Sequence, residues 1–342
     1  MNKVLLYAPD WINIIEPFRK NLDYCGFEVD IVSFTKPMFK YKNFKQRTVN
    51  FFRKTFLRDL AYKQRLKDAY FAAHPETVVT HNNSYDYGLI IRADLLTIES
   101  LKSIRSLCTK MVSYHFDGLG RYPEVFERIQ FFDDFFVFDP DDADRYPQWS
   151  LKKSTNFYFD YPLVSSCVKL QYPEFYYLGT YHVDRMQQIL DLQQFLSMHN
   201  LGHKFEIIFP TKDAYIITQD LMERITCSTD PISFEDYLKR MNSAPIVLDF
   251  VLNEHSGLSF RVFESLQHEK KLITTNKNII HYEFYHPDNI FVLDNNHSSL
   301  LIFLQKKYRP LPAGIKQKYA FSNWIKNIFC LMPFEEIKLP KF

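Results

Sequence analysis

Short, almost wholly apolar runs alternate along this chain with longer stretches in which apolar residues recur at helical spacing. Lys3 to Tyr7 is the first run, and after a Pro-Asp loop Ile14, Ile15, Phe18 and Leu22 mark one face of a helix over Ile14 to Tyr24. Phe27 to Phe34 is the next run. Strand, loop, helix and strand in that order is how a doubly wound α/β domain begins. Further strands are expected at Leu89 to Arg92, Lys110 to His115 and Phe135 to Phe138, with a helix over Leu96 to Leu107 between the first two. The pattern restarts after Pro162, with a strand at Glu174 to Leu178, a helix over Val183 to Asn200 and a strand at Phe205 to Phe209. Strands at Ile246 to Phe250, Lys271 to Thr274 and Ile290 to Leu293 follow, with a helix over Leu258 to Gln267 between the first two. Two parallel-sheet domains are therefore predicted, 1–165 and 166–318. A final helix over Tyr319 to Met332, in the segment 319–342, is expected to pack back on the first domain.

The length of 342 residues agrees, since it suits two domains of roughly 150 residues better than one. At 46% hydrophobic and 24% charged residues the composition is that of a soluble globular protein. Phe (33) and Tyr (22) are abundant against 8 Gly, which skewed codon usage or a ligand-binding demand would each produce. A net charge of +2 is too small for a nucleic-acid-binding chain, so no such partner is expected. Cys25, Cys108, Cys167, Cys227 and Cys330 are odd in number and contain no Cys-x-x-Cys pair. They suggest neither a zinc site nor a disulfide framework, and fit a reducing cytosol. The N-terminus has about six apolar residues before Pro9 and Asp10, and no run approaches the roughly 20 needed to cross a bilayer. A cytoplasmic protein, at most peripheral at the inner face of the plasma membrane, is expected.

Chemistry concentrates after the strand ending at Phe250. There Glu254 to Glu264 reads as a polar loop entering a helix, whose N-terminal N–H groups and partial positive charge favour a phosphate. Gly257 permits close backbone approach, Ser256 and Ser259 are N-cap residues and hydrogen-bond donors, and Arg261 can hold phosphate oxygens bidentately. Glu264, one turn on, can accept from both hydroxyls of a ribose. On spacing alone, Leu258, Val262 and Leu266 are equally a core face, with Arg261 and Glu264 a solvated i,i+3 pair and Gly257 a turn residue.

The segment Ser256 to Leu266 (SGLSFRVFESL), followed by Lys270 to Asn276 (KKLITTN), resembles the donor-binding signature of GT-B glycosyltransferases from bacterial capsule and lipopolysaccharide clusters. The resemblance implies an α/β GT-B fold, two doubly wound Rossmann-like domains facing a central cleft. It also implies a nucleotide-sugar held by the C-terminal domain and an oligosaccharide or lipid-linked glycan acceptor approaching the N-terminal one. Tyr177 to Arg185 is similar to the loop that opens the second domain near the donor phosphates, which adds Gly179, Thr180 and Arg185 to the donor set of Ser256, Gly257, Leu258, Ser259, Arg261 and Glu264. Phe131 to Asp139 resembles a late strand of the first domain, and Tyr114 to Asp117 a loop at the cleft. Many retaining members carry two glutamates separated by seven residues. Here Ser256 stands at the first position and Glu254 is out of register, so the stereochemistry does not carry over.

An inverting enzyme also needs a base on the acceptor hydroxyl. His115 and Asp117, at the carboxyl edge of a strand where doubly wound sheets place ligands, are the candidates, against a structural His and a capping Asp. Asp10 and Trp11, in the first β-to-α loop, face the acceptor or form an ordinary turn. Asp139-Pro140-Asp141 follows an apolar strand, as the cation-holding Asp-x-Asp of metal-dependent GT-A enzymes does, and is equally a helix start. With Arg261, Arg185 and helix dipoles available for the leaving group, neither a metal nor a cofactor beyond the donor is required. Residues 39–68 carry ten Lys or Arg against two Asp, interleaved with Phe51, Phe52, Phe56, Leu57 and Leu60. Such a stretch rests on an anionic membrane or is a solvated surface helix. No Gly-x-x-x-x-Gly-Lys-Ser/Thr, Gly-x-Ser-x-Gly, His-Glu-x-x-His or Gly-x-Gly-x-x-Gly pattern occurs. A catalytically inactive sugar- or nucleotide-binding member of a glycan assembly complex remains the alternative outside the enzymes.

Overall fold

A computed structural model of the protein describes residues 1–10, 13–34, 42–56, 62, 66, 84–162, 174–209, 225–252, 256–294 and 297–340. The first sheet contains β1 (Lys3–Pro9), β2 (Glu28–Phe34), β3 (Tyr85–Ile91), β4 (Cys108–His115), β5 (Asp134–Val137) and β6 (Lys152–Lys153), in the order β2-β1-β3-β4-β5-β6. The second contains β7 (Phe175–Thr180), β8 (His203–Ile208), β9 (Thr226–Ser228), β10 (Ile246–Asp249), β11 (Lys271–Thr274) and β12 (Ile290–Val292), in the order β12-β11-β10-β7-β8-β9. All these pairings are parallel. The strand order reverses once in each sheet, between β1 and β3 and between β7 and β10. Open α/β sheets bind ligands at such reversals, outside the carboxyl ends of the strands.

The apolar runs become strands because both of their faces are covered. Val4, Leu6 and Ala8 of β1 enter one core while Leu5 and Tyr7 enter another, and in β7 Tyr176 and Leu178 part from Phe175 and Tyr177 in the same way. One of these cores is shared by the two lobes. It joins residues of β1, β3, β4, β7, β10 and β11 to the C-terminal helix.

The first lobe carries α1 (Ile15–Tyr24), α2 (Phe44–Phe56), α3 (Ile98–Leu107), α4 (Phe126–Ile129) and α5 (Pro140–Arg145). The second carries α6 (Val183–Met198), α7 (Phe234–Ser243), α8 (Phe260–Gln267) and α9 (Leu300–Gln305), and α10 (Ala313–Lys318) and α11 (Phe321–Phe329) follow. Helix α3 starts at Ile98 rather than Leu96 because Thr97 caps it, its Oγ1 accepting the Ser100 amide at 3.1 Å. Helix α11 stops at Phe329 because Cys330 turns left-handed, with φ 59°. Its buried face returns to the first lobe: Phe321 lies edge-on to Phe18 at 5.6 Å, Trp324 meets Tyr114 at 5.0 Å, and Phe329 stacks on Tyr87 at 4.3 Å. Part of the aromatic excess is thus structural. The expected boundary near residue 165 falls outside the described residues, and among those described no helix is long and apolar enough to cross a membrane.

Candidate functional site

At the reversal of the second sheet, β7 ends in Gly179 and Thr180, β10 ends in Asp249, and α6 and α8 begin. Each helix delivers an arginine from its first turn. Arg185 donates through Nη2 to the Thr180 carbonyl and, at 3.1 Å, to its hydroxyl. Arg261 donates through Nη2 to the Leu178 carbonyl at 2.5 Å, and its Nη1 lies 3.7 Å from Asp249 Oδ1. The Tyr177 ring lies 5.4 Å from the Arg261 guanidinium, and its buried hydroxyl has no hydrogen-bond partner. Gly179 makes room for that hydroxyl, which a Cβ there would overlap.

Asp249 is buried and already engaged, accepting the Ser259 hydroxyl at 2.8 Å and the Thr274 hydroxyl at 2.9 Å. Glu264, 2% exposed, accepts the Tyr237 hydroxyl on Oε2 at 2.8 Å, while Oε1 has no partner. Burial pushes the Glu264 carboxyl up to about 7 against the opposing pull of Tyr237 and Arg261. Burial and the field of Arg261 lower Arg185 from its ordinary value. Burial also opposes the charge on Arg261, yet Tyr237, Tyr177, Asp249 and Glu264 hold it above its ordinary value. The two guanidiniums thus share the field of the buried Asp249 carboxylate, and Arg261 also lies in that of Glu264. A multiply charged anion would relieve the repulsion between the two guanidiniums.

The loop entering α8 is held from both lobes. Ser256 donates its amide, at 3.2 Å, and its hydroxyl to the carboxylate of Asp139. Asn276 donates to the carbonyls of Ser256 and Gly257, both at 3.3 Å, and Asn156 to that of Leu258 at 2.9 Å. The close approach that Gly257 permits is to the first lobe: a Cβ there would lie 2.6 Å from the Phe138 ring and 2.7 Å from its carbonyl oxygen. Leu258 is core. Ser259 takes the extended N-cap conformation, but its hydroxyl goes to Asp249 instead of a helix amide. Glu254 lies outside the described residues. Asp139 also caps α5 by accepting the Asp141 amide at 3.1 Å, so its two oxygens bind Ser256 and the helix start. Among the described residues no group of three or more His, Cys, Asp or Glu is arranged to hold a metal.

In the first lobe, His115 ends β4 with 0% exposure, and neither ring nitrogen has a hydrogen-bond partner. Burial, reinforced by Arg92 and opposed by Asp94, whose carboxylate is 3.8 Å away, and by Asp117, pushes its imidazole down to about 4. Arg92 follows β3 at the reversal of the sheet, in the left-handed region with φ 63°. It pairs bidentately with Asp94, both bonds 2.7 Å, lies 3.4 Å from Asp117 and sits 3.9 Å over the Tyr122 ring. A non-glycine residue held there stores strain of the kind that gathers at functional sites. Asp117 also meets Arg121 at 3.5 Å and keeps 13% of its side chain exposed, so it reaches solvent where His115 does not. Asp10 follows β1, with a buried Oδ1 that has no partner; Trp11 lies outside the described residues. The two sets face one another through Phe116, beside His115 and Asp117, whose ring meets that of Phe260 at 6.4 Å.

Tyr177, Tyr237, Asp249, Asn276, Arg92 and Asp94 belong to these sites without having been singled out in the sequence. Asp249 had a signal, an acidic residue closing an apolar strand, and so did Tyr237, which stands on a capped helical repeat. Of residues 39–68, α2 is described, with Lys45, Arg47, Val49 and Phe52 exposed; 39–41 and most of 57–68 lie outside the described residues.

No protein-family model matches the sequence, and no curated protein does. Solved structures do match. An α-glucosyltransferase in complex with UDP is 12% identical over 89% of this chain and 90% of its own, with a TM-score of 0.53. The α-glucosyltransferase in complex with UDP-glucose and DNA containing an abasic site has the same coverage and identity and a TM-score of 0.52. The apo lipopolysaccharide outer core galactosyltransferase WaaB, 12% identical over 96% of this chain and 99% of its own, gives 0.47. At such identities the likeness is one of architecture. The chain has the GT-B fold, two Rossmann-like lobes with parallel sheets, that the segment from Ser256 to Asn276 implied.

Proposed function

We propose that this protein is a nucleotide-sugar-dependent glycosyltransferase whose donor lies at the reversal of the second sheet. Arg185 and Arg261 hold the diphosphate and neutralise it as it leaves, and Glu264 Oε1 accepts from the ribose. One observation carries this reading: a buried carboxylate oxygen of Glu264 without a partner lies in the field of the Arg261 guanidinium, which is itself coupled to that of Arg185, at the sheet edge where such folds take ligands. Sequence resemblance to capsule and lipopolysaccharide enzymes supports an oligosaccharide or lipid-linked glycan as acceptor. The matched α-glucosyltransferase was solved with DNA, but a net charge of +2 does not favour that acceptor here.

Two arginines in place of a cation make the proposed transfer metal-independent. Asp117 is the acceptor-side group, with His115 neutral behind it. Basic and apolar side chains on α2 suit contact with an anionic membrane face. The test is turnover: UDP-, GDP-, CMP- and dTDP-sugars are incubated with glycan acceptor extracts and free nucleotide is measured. Release from one donor, undiminished by chelator, is expected. Binding without release from any donor would instead identify an inactive nucleotide-binding partner.

A further inference from the structure

We infer that Tyr237 is a positioning residue of the donor site: its hydroxyl fixes the Glu264 carboxylate through Oε2 and leaves Oε1 for a ribose hydroxyl. The inference rests on the donor reading above and adds a residue from a helix to which that reading gives no role. Tyr237 stands on α7 among Phe234, Leu238 and Met241, all buried. Phe would pack on that face equally well, and a phenol hydroxyl taken into an apolar site costs free energy unless it is bonded. Its hydrogen bond goes to Glu264 at 2.8 Å. Burying Glu264 is costlier still, and an apolar pair of the same volume would serve stability better. A buried acid–phenol pair that leaves one carboxylate oxygen unsatisfied is unfavourable in the free protein and becomes satisfied when a hydroxyl-bearing ligand arrives. The Tyr237 ring also lies 6.0 Å from the Arg261 guanidinium, so one side chain of α7 bonds to the proposed ribose-binding residue of α8 and lies near the phosphate-binding one.

Among the described residues, the ionisable groups around Glu264 are Tyr237 from α7, Arg261 from its own helix and Asp249 from β10. Tyr237 and Arg261 favour its ionised form, whereas Asp249 opposes it. Removing the Tyr237 hydroxyl therefore moves the ionisation of Glu264 to higher pH, and only the ionised carboxylate serves as a full acceptor.

The experiment compares wild type with Tyr237→Phe by titration calorimetry between pH 6 and 9. The probes are uridine, guanosine, adenosine, cytidine and thymidine diphosphates, and the 2′,3′-dideoxy form of whichever binds most tightly. The Glu264 carboxyl is followed in parallel by carbon NMR of the ligand-free protein. Tyr237→Phe is expected to weaken the ribose-bearing nucleotide about tenfold at pH 7, to recover most of that loss at pH 9, and to leave the dideoxy form unchanged. The carboxyl titration should move to higher pH. Equal weakening of both nucleotide forms, or an unmoved carboxyl titration, overturns the role of Tyr237. If the wild type itself binds the ribose and dideoxy forms equally, or binds none of these nucleotides, thymidine diphosphate included, the donor reading fails and takes this inference with it.

Discussion

The carboxylate of Asp139, in the first lobe, accepts both the amide and the hydroxyl of Ser256, in the loop that enters α8 of the second. An acidic residue that suggested a metal ligand in the sequence thus ties the lobes together at the loop that enters α8. Gly257 completes the junction against Phe138. Gly257→Ala should therefore force the loop off the first lobe at a cost of about 1–3 kcal/mol and lower the Tm by about 2–6 °C. An unchanged thermal unfolding curve would show that the lobes do not meet there.

With the Asp139 oxygens engaged by Ser256 and the start of α5, Asp141 has no partner for cation binding in that pair. Transfer is expected to survive chelation, and Asp141→Asn to turn over like the wild type. Activity lost to chelator and restored by a divalent cation would contradict this.

Glu264 is expected to make stability and nucleotide binding depend on pH in opposite senses. Its carboxyl is raised by burial from an ordinary value of 4.5 to about 7, so between those values the folded chain binds the extra proton. The stability this contributes is fully present below the lower value and is lost as pH rises through the upper one. Glu264→Gln, which does not titrate, should gain in Tm relative to wild type between pH 5 and pH 8. A ribose hydroxyl donating to Oε1 favours the ionised form, so wild-type nucleotide affinity should rise over the same range. A Tm difference and an affinity that both ignore pH would remove Glu264 from the site.

His115 is neutral at physiological pH and wholly buried, whereas Asp117 is partly exposed. Asp117→Asn is therefore expected to lower kcat by about 10²–10⁴-fold, with His115→Phe costing less than about tenfold. A histidine limb near its ordinary pKa in the pH–rate profile, or the reverse order of effects, would return the base to His115.

Much of the fold was legible because strands covered on both faces are continuous apolar runs: β1, β10 and β11 stand where those runs predicted them. Strands β6 and β9 span two and three residues, too short for any periodicity. Helix α7 was legible but overlooked, since Phe234, Tyr237, Leu238 and Met241 follow helical spacing behind the N-cap Ser233, whose hydroxyl accepts the Asp236 amide. In the site, spacing left Arg261 and Glu264 open between a solvated pair and a nucleotide site, the resemblance favoured the second, and neither said what surrounds them. That Gly257 abuts Phe138, or that Glu264 meets Tyr237, depends on segments 119 and 27 residues apart being folded together.

In the proposed donor site Arg185 and Arg261 bind the diphosphate of a nucleotide. This is measured by calorimetric titration of wild type, Arg185→Ala and Arg261→Ala with the nucleotide of the accepted donor. Each charge-assisted contact removed should weaken binding by about 10–100-fold while the nucleoside, lacking the diphosphate, binds the three proteins alike. Nucleotide affinity unchanged in both variants would show that neither arginine binds the diphosphate.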